Sequence, residues 1–245
     1  MANSSFSHPP RNSFDKLGMW LMEIYELFIG KWWLWLLQGL IFSTLLVLLP
    51  MAVAKLSHID VLLPIFTNGA KPALMHQVQG QLVFFASMLV LIILLMSVTV
   101  AVLLPGMIST ALKQMRGERV SVLGIFSGVR FGWRFFLISM VIALGWFFCI
   151  PGVLYTAALF CLAAPIMIDR SVTVKEALSE SYRVTGKEVF FFLVYFPVIG
   201  IIMYVASALL NIIHLDIVAH IAYTAMLPIA IAVAYERTFF GYEEE

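Results

Sequence analysis

Five stretches of this chain carry no Asp, Glu, Lys or Arg at all: residues 32–54, 72–112, 135–168, 189–215 and 217–235. A bilayer core of about 30 Å takes about 20 helical residues to cross, and only a segment dissolved in lipid gains by excluding charge over such lengths. The chain therefore reads as an all-α, multi-pass membrane protein. Composition agrees, with 62% hydrophobic and 12% charged residues and a mean hydropathy of +0.99. Soluble domains hold about 25% charged residues.

One of the windows needs trimming and another dividing. The stretch 72–112 begins with Pro72, His76, Gln77, Gln79 and Gln81, so its span is expected at about Leu82 to Leu104, with Pro105-Gly106 near the far end. The stretch 135–168 is too long for one crossing, and Pro151-Gly152 suggests a tight hairpin between two short helices. Six transmembrane helices result. Arg130 and Arg134 then lengthen the third and snorkel toward headgroups.

Counting cations by segment orients the chain. Lys55 and Lys71 fall between the first two spans, whereas the other 13 Lys and Arg residues fall in alternate segments, among them Lys113, Arg116, Arg119, Arg170, Lys175 and Arg237. The positive-inside rule then places both termini in the cytoplasm. Ala52-Val53-Ala54 looks like a signal-peptide cleavage site, but the preceding run is too long and too rich in Trp, so the first span is read as an anchor. The organisation expected is a cytoplasmic segment over 1–31, a membrane domain over 32–235 and a tail over 236–245.

Two further helices are expected on the cytoplasmic side. Phe14, Leu17, Leu21, Ile24 and Phe28 recur at helical spacing after a possible N-cap at Ser13, which reads as a helix lying on the leaflet or continuing into the first span. Thr173 and Glu176 have capping-box spacing and open an amphipathic helix with Val174, Ala177, Leu178, Ser181 and Tyr182 on one face, ending at Gly186. Val120-Ser121-Val122 with Ile125-Phe126-Ser127 matches Val172-Thr173-Val174 with Ala177-Leu178-Ser179 at a constant offset, which suggests an internal repeat.

These residues resemble the YciC-like family of bacterial inner-membrane proteins and, more distantly, the membrane domain of some glycerophosphodiester phosphodiesterases. The likeness rests on Arg119-Val120-Ser121 with Leu123, on Pro151-Gly152, on Ala164-Pro165 with Met167, and on Ala177, Ser181, Arg183 and Thr185. It implies a six-helix protein of a bacterial inner membrane and transfers no catalytic residue.

Chemistry is sparse. No carboxylate or cation lies near the middle of a span, which disfavours an ion-coupled or proton-coupled transporter. Gln38, Ser43, Thr99, Ser139, Thr156 and Thr224 read as interhelical hydrogen-bonding groups. His58, Asp60 and His76, with His214, Asp216 and His220, sit at the outer ends without metal-site spacing, so no metal and no cofactor is expected. No nucleophile elbow or phosphate-cradling Gly loop occurs, and a non-enzyme is expected. A net charge of +1 gives no track for nucleic acid.

What remains is association. Ala157 with Cys161, Gly200 with Tyr204, and Ala230 with Ala234 lie at four-residue spacing and read as packing faces. Candidate contact residues are Arg119, Ser121, Thr173, Glu176, Ser181 and Arg183, and Pro197 and Pro228 are candidate hinges. The expected role is structural, assembly or accessory, with the bilayer and a membrane-protein partner or a second copy as partners; the competing expectation is a carrier or channel for a lipid-like or small uncharged solute.

Overall fold

A computed structural model describes residues 12–56, 72–212 and 215–241, and every described element is helical. Helix α1 spans Ser13–Gly30, α2 Trp32–Leu56 and α3 Pro72–Met115. A 3-10 helix at Val122–Phe131 leads into α4, Gly132–Ala143, and a second at Leu144–Phe148 turns the chain into α5, Cys149–Phe160. Then come α6 at Ala163–Arg170, α7 at Val174–Thr185, α8 at Val189–Ile212 and α9 at Asp216–Phe239. Five stretches are long and apolar enough to cross a membrane among the described residues: Trp32–Ala52, Ala86–Met115, Val122–Ala143, Pro151–Arg170 and Val174–Leu210. The protein is thus a multi-pass membrane protein, all-helical over the described residues.

The chain divides into two compact units, Ile41–Val100 and the remainder. Within Ile41–Val100 the hydroxyls of Ser97 and Thr99 donate to Ile93 O and Leu95 O of their own helix, at 2.8 and 2.9 Å. Val90, Ile93 and Leu94 are exposed, as lipid-facing side chains are.

The larger unit departs from the sequence reading in four places. Pro105-Gly106 does not end its helix: α3 runs on to Met115, because Met107, Ile108, Ala111 and Leu112 form a buried face over the last turns. The hairpin turns at Leu144–Phe148, and Pro151-Gly152 lies in the first turn of α5, where a proline's missing N–H has no helical partner to lose. Gly145 makes that turn tight, since a Cβ there would stand 2.6 Å from Gly152 O. The N-cap of α1 is Asn12, not Ser13; its side chain accepts from Asp15 N at 2.9 Å. The fourth departure is the segment after α3.

There the repeat match to the helix that Thr173 opens suggests a second cytoplasmic loop helix, and the structure has a 3-10 helix packed against α3. With three residues per turn, Ile125, Gly128 and Phe131 fall on one edge and are buried, while Leu123, Phe126 and Val129 fall on the next and are exposed. Glycine makes the contact possible. A Cβ on Gly128 would lie 2.0 Å from Val102 O and 2.5 Å from Gly106 N, and one on Gly106 would lie 1.8 Å from Ile125 O. Two backbones touch where no side chain fits.

Candidate functional site

The charged ends of the helices meet in one knot. Arg116, just past α3, spans both oxygens of Asp169 at 2.5 and 3.0 Å and both oxygens of Glu236 at 3.1 Å. Tyr235 donates its hydroxyl to Asp169 at 2.7 Å. One guanidinium thus ties the ends of α3, α6 and α9, using the planar fork that a lysine lacks. Asp169 first, and Glu236 with it, hold the Arg116 guanidinium well above its ordinary pKa, so it stays charged throughout.

Helix α1 is strapped across the same end. Lys16 pairs with Glu188 ahead of α8 and lies over the rings of Trp20 and Phe191 at 5.1 and 4.6 Å. Glu23 and Arg237 bond bidentately at 2.8 Å, and Gln114 donates to Leu27 O at 2.7 Å while accepting from Trp35 Nε1 at 3.0 Å. The helix touches the ends of α8, α9 and α3 in turn, so it crosses the bundle end, and the break at Lys31 separates it from α2. Trp20 and Ile24 are its buried residues. Met22, Tyr25 and Ile29 are exposed on another side, so the apolar surface is wider than the sequence pattern suggests, and Phe14, which that pattern groups with Ile24, is exposed too.

Beneath α1 opens a cleft of about 520 Å³. Its floor is one stripe of α8, with Ile199, Met203, Ser207 and Leu210 at helical spacing. Gly18, Met22 and Tyr25 close the α1 end, and Ala222 and Met226 of α9 form a wall. Ser207 is the one hydroxyl-bearing residue besides Tyr25 in an otherwise apolar lining.

A buried polar contact pins the 3-10 segment. Gln38 is fully buried; its Nε2 donates to Ser121 O and Val122 O, both at 3.2 Å, with Thr110 Oγ1 at 3.4 Å. Its Oε1 is buried with no partner among the described residues.

The candidate contact residues fall into two groups. Arg119 and Ser121 are exposed, and Ser121 is extended and makes no side-chain cap bond, although its carbonyl serves Gln38. Thr173 and Glu176 form the full capping box: Glu176 accepts from Thr173 N at 2.9 Å, and Thr173 Oγ1 accepts from Glu176 N at 3.3 Å. The Thr173 backbone N–H, and then its hydroxyl, hold the Glu176 carboxyl below its ordinary pKa. Arg183 is exposed, 3.7 Å from Glu180. Ser181 faces inward, where it and Thr185 donate to Leu159 O at 2.8 and 2.7 Å. The buried stripe of α7 is Ala177, Ser181 and Thr185, while Tyr182 points outward.

That carbonyl is available because the helix breaks between α5 and α6. Pro165 clashes with the carbonyl four residues back, at Cys161, and the chain turns at Cys161-Leu162. Pro197 is exposed on α8, whereas Pro228 is buried on α9 near Ala230 O, which accepts from Tyr195 Oη at 2.9 Å. Ala230 and Ala234 are buried; Tyr204, at 76% exposure, does not pack as a contact face. His58, Asp60 and His214 lie outside the described residues, and His220 is exposed. Among the described residues no three His, Cys, Asp or Glu side chains stand close enough to share a metal.

Neither a family model, nor a curated protein, nor a solved structure matches this chain.

Proposed function

We propose that this is a non-enzymatic structural or accessory protein of a bacterial inner membrane, with six spans, both termini in the cytoplasm, and α9 as the sixth span. The observation that carries this reading is the Arg116 knot, a single cation joining three helix ends, with α1 strapped beside it by two further ion pairs. Such cross-linking suits a rigid platform. Three hydroxyls in the spans support it, because carbonyls of the bundle hold them: Ser139 donates to Phe135 O and Thr224 to Ile221 O of their own helices, and Thr156 to Ile142 O of α4.

On this reading the cationic end faces the cytoplasm, and a membrane-protein partner or a second copy docks there through the exposed residues Arg119, Ser121, Thr173, Glu176 and Arg183. The YciC-like resemblance and the internal repeat belong to the same proposal; Ile125 and Ala177, at matching repeat positions, are both fully buried. Copurification in mild detergent tests it. A defined partner lost on Arg119→Glu and Arg183→Glu supports the platform, whereas a protein that alone moves a solute across liposomes contradicts it. The cleft below α1 favours a second reading, a carrier of a lipid-like solute, and that liposome experiment separates the two.

A further inference from the structure

We propose that the cleft between α1, α8 and α9 is a lipid site that holds one acyl chain of a phospholipid. The inference rests on the chain's being a membrane protein and holds whether its role is accessory or carrier.

Size comes first. At about 520 Å³ the cleft lies in the range of single-molecule ligand sites. Its floor from Ile199 to Leu210 covers eleven residues of rise, roughly 16 Å at 1.5 Å per residue. That is about half of a 30 Å hydrocarbon core, the depth of one leaflet, whereas a partner's transmembrane helix would run the full thickness.

Position comes second. The cleft floor begins at Ile199, eleven residues and roughly 16 Å beyond Glu188, whose pair with Lys16 stands where the span meets water. The floor from Ile199 to Leu210 therefore lies in the leaflet farther from that ion pair, with α1 over its inner end.

Continuity names the occupant. Ile201, Val205 and Leu209, beside the cleft on α8, and Ile202 in its lining are exposed and make up a surface that lipid must cover in a membrane protein. The cleft opens from that surface, so the hydrocarbon at its mouth is the bilayer's own. Room remains under α1, since a Cβ added at Gly18 would meet nothing within 4 Å.

The test uses the full chain in phosphatidylethanolamine and phosphatidylglycerol nanodiscs doped with a phosphatidylcholine carrying a diazirine in one acyl chain. After irradiation, adducts should concentrate on residues 199–210 and 18–25, about tenfold over the exposed stretch 89–94. Filling the cleft with Ala206→Phe or Gly18→Leu should remove that excess at unchanged helicity and thermal midpoint; Ser207→Leu, a smaller addition, serves if either misfolds. Uniform adducts along all exposed helices, filling variants that label like the parent, or crosslinks joining two copies through α8 would each overturn the proposal. A chain released from membranes by alkaline carbonate would overturn the membrane reading itself.

Discussion

Arg116 and Asp169, 53 positions apart, form a bidentate ion pair at 2.5 and 3.0 Å that joins the end of α3 to the end of α6. Asp169→Asn removes one charge and leaves the guanidinium with Glu236 alone. Hydrogen bonds to charged groups contribute about 1.5–3 kcal/mol, so a loss of that order is expected as a lowered thermal midpoint in detergent. Arg116→Lys should lose nearly as much, because an ammonium cannot bond two carboxylates bidentately at once. A midpoint unchanged in both variants would remove the knot from the account.

Glycine substitutions should separate by site. Gly128→Ala places a methyl 2.0 Å from Val102 O, a backbone atom, and overpacking of that kind costs about 1–3 kcal/mol. Gly200→Ala meets nothing within 4 Å in the interior of α8 and should stabilise by about 0.4–1 kcal/mol. Thermal unfolding of the two variants checks the sign of each.

Much of the fold was legible in the sequence. Charge-free windows announce helices in lipid, and Thr173 with Glu176 announces the start of α7, because these signals are local. The 3-10 segment was not legible as such. Gly124, Gly128 and Gly132 repeat at four residues and signal a close helix contact, yet Arg119 reads as part of a cytoplasmic loop and Arg130 and Arg134 as headgroup anchors of the third span. The knot was hidden for a different reason: Arg116, Asp169 and Glu236 each look like an ordinary charge at the edge of a span, and their meeting is made by packing between residues 53 and 120 positions apart. The cleft likewise depends on where α1 crosses, which its wide apolar surface leaves open.

Gln38 offers a test of the buried amide. Gln38→Glu would set a carboxylate against two carbonyl oxygens, those of Ser121 and Val122, and should destabilise more than Gln38→Met, which removes donors and the unpaired Oε1 together. Melting at neutral pH orders the variants; equal losses would mean that the amide does not face those carbonyls.

Acid should weaken the capping box. The Glu176 carboxyl is held below its ordinary value in the folded protein, so its contribution is fully present above that ordinary value and is lost as pH falls through the lower folded one. The difference in midpoint between the parent and Glu176→Gln should therefore shrink on acidification below pH ~4. Thr173→Ala, which removes the cap itself, should cost about 1 kcal/mol at neutral pH.

The account turns on lipid as the solvent, with the cationic segments on one side. Single cysteines replacing Lys55, Arg119 or Arg183, in a chain whose Cys149 and Cys161 are changed to Ala, can be treated in intact cells with a membrane-impermeant maleimide. Labelling of position 55 with protection of 119 and 183 until lysis is the predicted result; labelling of 119 and protection of 183, or the reverse, would contradict it.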